Sequence, residues 1–196
     1  MALDISEMLS KNVILVDALY ADSVAADMMV NFERMIGRHI PCADMPRWLD
    51  CVALDGGVVP GENSIDVIFI YDKKRGSMPH FVPSDIEDLN GKAFNDNLGE
   101  FSISSYSIAD DVTNREDFFM ESLKVLVDSK KVERLMVVAD MLQYGGRVTE
   151  FLDSNSVEGK SVSLFSMSPQ AGKGFTPVVL GYSIMNAMGI SGDELR

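Results

Sequence analysis

The stretch from Arg134 to Met167 constrains this chain more than any other. An apolar run, Leu135-Met136-Val137-Val138-Ala139, stops at Asp140, a helical segment follows around 146–153, and a second apolar run covers Val162-Ser163-Leu164-Phe165-Ser166-Met167. Strand, helix and strand within about 35 residues make a βαβ unit, which joins parallel neighbours in a sheet. A sheet of that kind buries both faces under helices.

The other segments are read against that unit. Val13-Ile14-Leu15-Val16 is a continuous apolar run ending at Asp17, the pattern of a strand buried on both faces. A helix is expected over about 22–36, where Ala25, Met28 or Met29, Phe32 and Ile36 recur at helical spacing, with Asp22 or Ser23 as its cap and Gly37 at its end. Thr113-Asn114-Arg115-Glu116 has the form of a capping box and opens a helix to about Lys130 that turns Phe119, Leu123, Leu126 and Val127 inward. Thr176 caps and Pro177 starts a last helix that Gly189 ends. Trp48–Leu54 and Ile65–Tyr71 read as two β-rich runs, and the turn-rich segment between them is too short for a crossover helix. That predicts an antiparallel hairpin at 48–71. Residues 73–98 form a long punctuated loop with a short helix near Ser84–Glu87, and the alternation across Phe101–Tyr106 suits a half-exposed edge strand. The expected fold is a single α/β domain over 1–196, with a mainly parallel central sheet and helices on both faces in a Rossmann-like three-layer arrangement.

Composition narrows the function. A net charge of −13 leaves no basic stripe for phosphates, since the main basic clusters are Lys73-Lys74-Arg75 and Lys130-Lys131. Nucleic-acid binding is therefore not expected unless a metal neutralises the site. No run approaches a membrane span, no cationic segment precedes an apolar run at the N-terminus, and Cys42 and Cys51 are too few for a disulfide framework. The expected location is the cytoplasm.

Chemistry is expected where strands end. Asp17, Asp55, Asp72, Asp110 and Asp140 each close a β-like run, and ligands of open α/β sheets sit outside the carboxyl ends of parallel strands. Aspartate is also a common cap and turn residue, which accounts for each one separately. On neighbouring strands, Asp17 and Asp140 would repel unless protonated or bridged by a cation, and Mg²⁺ or Mn²⁺ would suit such oxygen ligands. Tyr144-Gly145-Gly146 suits a close backbone approach to a ligand, and equally a turn before the helix. The loop around Lys173 fails as a P-loop, because Met167 and Gly174 replace its first glycine and its Ser or Thr. What remains is a glycine-flanked lysine near a helix start, an anion-site candidate or a simple connection. His39, Cys42 and Cys51 lack zinc spacing, and neither His39 nor His80 accompanies a nucleophile motif. Met-rich helices are core filler or, if exposed, a self-association surface.

The order of Asp17, helix, later helix, Leu135–Asp140 and the following βαβ elements resembles PIN-like nucleases, especially the NYN branch. Asp17 matches their first-strand aspartate, and Asp140 matches the first acidic residue of their Ser-Gly-Asp-x-Asp-Phe-like segment. The chain departs from that pattern at Ala18-Leu19-Tyr20, which lacks the Asn, and at Leu142, which replaces the second acidic residue. The resemblance implies a Mg²⁺- or Mn²⁺-dependent ribonuclease using Asp17, Asp140 and one further carboxylate from Asp22, Glu116 or Asp117, or else a degenerate, inactive relative. The chain also resembles uncharacterised acidic bacterial α/β proteins in general. The expected function is that of a non-catalytic binding or regulatory protein with its ligand site at the carboxyl edge, near Asp17, Asp140, Tyr144 and Lys173. It would bind a small molecule or a protein partner and form homo-oligomers.

Overall fold

The computed structural model describes residues 9–108 and 113–196. Asp110 and the first eight residues of the lead-in lie outside the described residues. A seven-stranded sheet runs through the molecule in the order β5-β6-β3-β1-β7-β8-β9. Its strands are β1 (Asn12–Asp17), β3 (Asn63–Asp72), β5 (Ala93–Asp96), β6 (Gly99–Ile108), β7 (Arg134–Val138), β8 (Ser161–Ser166) and β9 (Thr176–Val179). All neighbours pair parallel except β5 with β6. A two-stranded parallel pair, β2 (Ala43–Asp44) and β4 (Phe81–Val82), stands beside it.

Strand alternation builds two cores from one sheet. Ile14, Val16, Val67, Phe69, Met136 and Val138 face one layer, while Val13, Leu15, Ile68, Ile70, Leu135 and Val137 face the other. The first layer holds α1 (Ala18–Ile36), α2 (Met45–Asp55), α3 (Ile86–Leu89) and α6 (Leu180–Ala187). The second holds α4 (Arg115–Asp128) and α5 (Gly145–Ser154). This is the expected three-layer α/β arrangement. Because β1 is central, its run of apolar residues has no solvent face to serve.

The hairpin at 48–71 is replaced by a helix and a strand. Met45, Trp48, Leu49, Val52 and Ala53 are buried along one face of α2, at the i, i+3, i+4, i+7 spacing of an amphipathic helix. Asp44 caps it, accepting from the Arg47 amide at 2.9 Å, and Pro46 sits in its first turn. Trp48 is fully buried, and its indole N–H donates to Ser183 of α6 at 3.1 Å. Asp55 therefore ends a helix, and Ile65–Tyr71 belongs to β3, parallel to β1.

Other boundaries also move. α1 starts directly after β1 with Asp17 as its cap, so Asp22 and Ser23 lie inside the helix, while Gly37 ends it at φ 75° as expected. Asn114, rather than Thr113, caps α4, accepting from the Asp117 amide. Thr176–Val179 forms the edge strand β9, and the helix begins only at Leu180. Pro177 is tolerated there because an edge strand needs no donor on its free side. Phe101–Tyr106 lies inside β6, and the edge beyond it is β5. Gly99 opens β6 at φ 132°, and a Cβ there would stand 2.1 Å from the Asn63 carbonyl oxygen, so only glycine lets these backbones meet.

Candidate functional site

From β1 the sheet is built outwards to β3 and β6 on one side, and to β7, β8 and β9 on the other. The crevice where strand order reverses is the ligand position of open α/β sheets. Asp17 at the end of β1 and Asp140, just beyond β7, flank it on adjacent strands. The two carboxylates are 0% and 5% exposed.

A cation does lie between them, and it is the guanidinium of Arg115 at the start of α4. Arg115 Nη2 is 3.0 Å from Asp140 Oδ2, and its Nε is 3.1 Å from Asp17 Oδ2. The Nη2 contact is a hydrogen bond. The Nε approach is electrostatic only, since Nε makes no hydrogen bond. Asp17 Oδ1 accepts from the Tyr20 amide as the α1 cap, and Oδ2 accepts from the Tyr144 hydroxyl at 2.5 Å. Asp140 Oδ1 accepts from the amides of Leu142 and Gln143 at 3.1 and 3.0 Å. Burial pushes the Asp17 carboxyl above its usual range, against the pull of Arg115, Tyr144 and the Tyr20 amide. Burial, and then the neighbouring Asp17 charge, push the Tyr144 phenol far up, so it serves only as a donor.

The sequence candidates for a third acidic ligand are engaged elsewhere. Asp22 accepts from the His80 amide at 2.8 Å and faces its ring nitrogen at 3.0 Å. Glu116 and Asp117 both pair with Arg147. Among the described residues no group of three His, Cys, Asp or Glu side chains could hold a metal ion. Two aspartates clamped on an arginine do not fit a two-metal centre, which needs free carboxylate oxygens.

Tyr144, directly before Gly145 at the start of α5, is brought to the Asp17 carboxylate. Lys173 stands apart and is exposed. Its amide and that of Gly174 donate to Asp153, eight positions along α5 from Gly145, roughly 12 Å at 1.5 Å per residue. Gly174 is pressed against the Leu152 carbonyl, where a Cβ would stand 1.9 Å away. That loop is held by contact with the end of α5.

Beside the clamp opens a cleft of about 330 Å³. The start of α5 at Gly145 and Gly146 forms one wall, Tyr20 and Ser166 its floor, and Leu142 and Phe175 an apolar side. Arg115, Tyr20 and Ser166 were missed in the sequence. For Arg115 a signal existed: a cation in the first turn of a helix is disfavoured by the helix dipole, so it is expected there only with a strong partner. Ser166 hides within an apolar run, and nothing local distinguishes Tyr20.

Comparison with known proteins places the chain in a family. Residues 6–195 match the model described as a family of unknown function, DUF6621, and the chain belongs to that family. Nothing matches among the curated proteins or among the solved structures.

Proposed function

We propose that this chain acts as a binding or regulatory protein and not as a catalyst, with its ligand site at the carboxyl edge of the sheet. The observation that carries this reading is Arg115, whose guanidinium stands between Asp17 and Asp140 where a catalytic cation would have to stand. Tyr144 and three backbone amides complete the two carboxylates, so the cluster is a closed structural unit. It stiffens the rim of the adjacent cleft by tying α1, α4 and α5 together. No helix among the described residues is long and apolar enough to cross a membrane. A cytoplasmic location belongs to the same reading. So does self-association through exposed side chains such as Met35 and Tyr182; a single monomer-sized species in sedimentation velocity would remove it.

The test is thermal unfolding of the wild type and of Asp17→Asn/Asp140→Asn with Mn²⁺, with Mg²⁺ or with chelator. A ligand of the folded state adds about 2.7 kcal/mol at a hundred times its dissociation constant. The expected result is no metal-dependent shift that depends on the two aspartates. A rise in the wild type that vanishes in the double variant would overturn the reading in favour of the metal-dependent ribonuclease.

A further inference from the structure

The cleft beside the clamp is rich in hydrogen-bond donors that nothing in the protein uses. α5 has no side-chain cap, and the amides of Gly145 and Gly146 have no acceptor among the described residues. Two side chains on the cleft floor share this condition. Tyr20 is 4% exposed and Ser166 is 6% exposed, and neither hydroxyl makes a hydrogen bond within the described residues. Neither hydroxyl oxygen is among the fully enclosed unpaired atoms of the described residues, so both open onto the cleft that their residues line, where an outside acceptor can reach them. Ser166 reaches the cleft because it follows Phe165 at the end of β8: Phe165 points into the α1–α6 core, and the alternation turns Ser166 towards α5.

The chemistry of the walls narrows the ligand. No Lys, Arg or His lines the cleft, so a phosphate dianion would lack its usual charged partner. A helix start carries about half a positive charge, which suits a single negative charge. Burial, and then the charges of Asp140 and Asp17, hold the Tyr20 hydroxyl protonated, so it stands in the cleft as a donor, and Arg115 offsets one of those two charges. The field of the whole acidic chain is screened beyond about 8 Å at physiological salt. Leu142, Leu164, Met141 and Phe175 offer an apolar surface on the remaining side.

We propose that this cleft binds a small monocarboxylate with an apolar body, its carboxylate on the Gly145 and Gly146 amides and the Tyr20 and Ser166 hydroxyls. The proposal rests on the binding role above and assigns its ligand class. The bound acid completes the cap that α5 lacks.

The test is amide NMR of the full chain titrated with phenylacetate and hexanoate, with phenylacetamide and hexanamide as uncharged counterparts, each to about 20 mM for fragment-strength binding. The expected result is saturable shifts of the Gly145 and Gly146 amides with the acids, with the amides binding about tenfold more weakly. Ser166→Ala and Tyr20→Phe each weaken acid binding about tenfold. The unbound variants melt no lower than wild type, because each loses only an unused hydroxyl. Acids and amides binding alike at Gly145 and Gly146 would overturn the acid assignment and leave the binding role standing. No shift with either acid would also overturn the assignment, and the metal titration judges the binding role separately. Variants that melt well below wild type would show that the hydroxyls are structural and overturn the proposal.

Discussion

Replacing Arg115 with methionine keeps an unbranched apolar stem and removes the guanidinium between two buried carboxylates. Two contacts of 3.0 and 3.1 Å are lost. At an effective dielectric of about 20, a unit charge pair at 3.1 Å is worth about 5 kcal/mol before desolvation. Breaking one side of a buried pair typically costs 3–5 kcal/mol. The expected loss at neutral pH is about 3 kcal/mol, or about 6–12 °C in melting temperature for a chain of this size. The sign of the pH dependence follows from Asp17. Its folded pKa is raised, so the folded chain holds that proton more tightly than the unfolded chain does, and stability falls as pH rises through the folded value. Without Arg115 the folded value climbs further. The penalty of Arg115→Met therefore grows with pH and shrinks in acid, where Asp17 takes up a proton. Asp17→Asn keeps the α1 cap and removes one charge, so the double variant Asp17→Asn/Arg115→Met recovers part of the loss. Urea unfolding from about pH 5 to pH 8 reads all of this. A penalty independent of pH, or one that Asp17→Asn does not relieve, would refute the reasoning.

Three further outcomes follow from the same structure. Tyr144→Phe strips a donor from a fully buried carboxylate and costs about 1.5–3 kcal/mol at pH 7 by denaturant unfolding. Burial and the facing Asp96 push the Asp50 carboxyl up to about 6, so its contribution to stability is complete below the unfolded value of 3.8 and is lost as pH rises through 6. Asp50→Asn consequently matches wild type near pH 4 and is more stable at pH 7.5. The side chain is partly solvated, which reduces the full linkage figure to about 1 kcal/mol, readable in melting curves at the two pH values. Gly99→Ala forces a Cβ onto the Asn63 backbone at positive φ and lowers stability by about 2–3 kcal/mol, which a chemical melt reads.

The sheet was legible where burial left no choice. β1 and β7 are covered on both faces, so their sequences hold unbroken apolar runs that announce themselves, and β8 follows with buried serines among its apolar residues. The meeting of Asp17 and Asp140 followed from those strands being parallel neighbours. α2 was misread because Trp48–Leu54 was weighed by β propensity. The deciding signal was the spacing of Met45, Trp48, Leu49, Val52 and Ala53, together with the Asp44 cap. Thr176-Pro177 had the chemistry of a helix start, but pairing with β8 outweighed it and made an edge strand. Arg115 could not be assigned as a clamp from local pattern. Its partners are the ends of two other elements, and a long-range ion pair leaves no periodicity. The side chain between Asp17 and Asp140 is supplied by a third segment, the start of α4.

The proposed function turns on Arg115 standing as the built-in cation of the Asp17–Asp140 pair in the place of a metal ion. The most direct measurement is the amide NMR spectrum of the wild type with substoichiometric Mn²⁺, which broadens resonances close to any bound ion. The amides of Tyr20, Leu142 and Gln143, which donate to these carboxylates, are expected to keep their intensity while any exposed acidic surface site broadens. Selective broadening of those three amides, reversed by chelator, would contradict that role of Arg115.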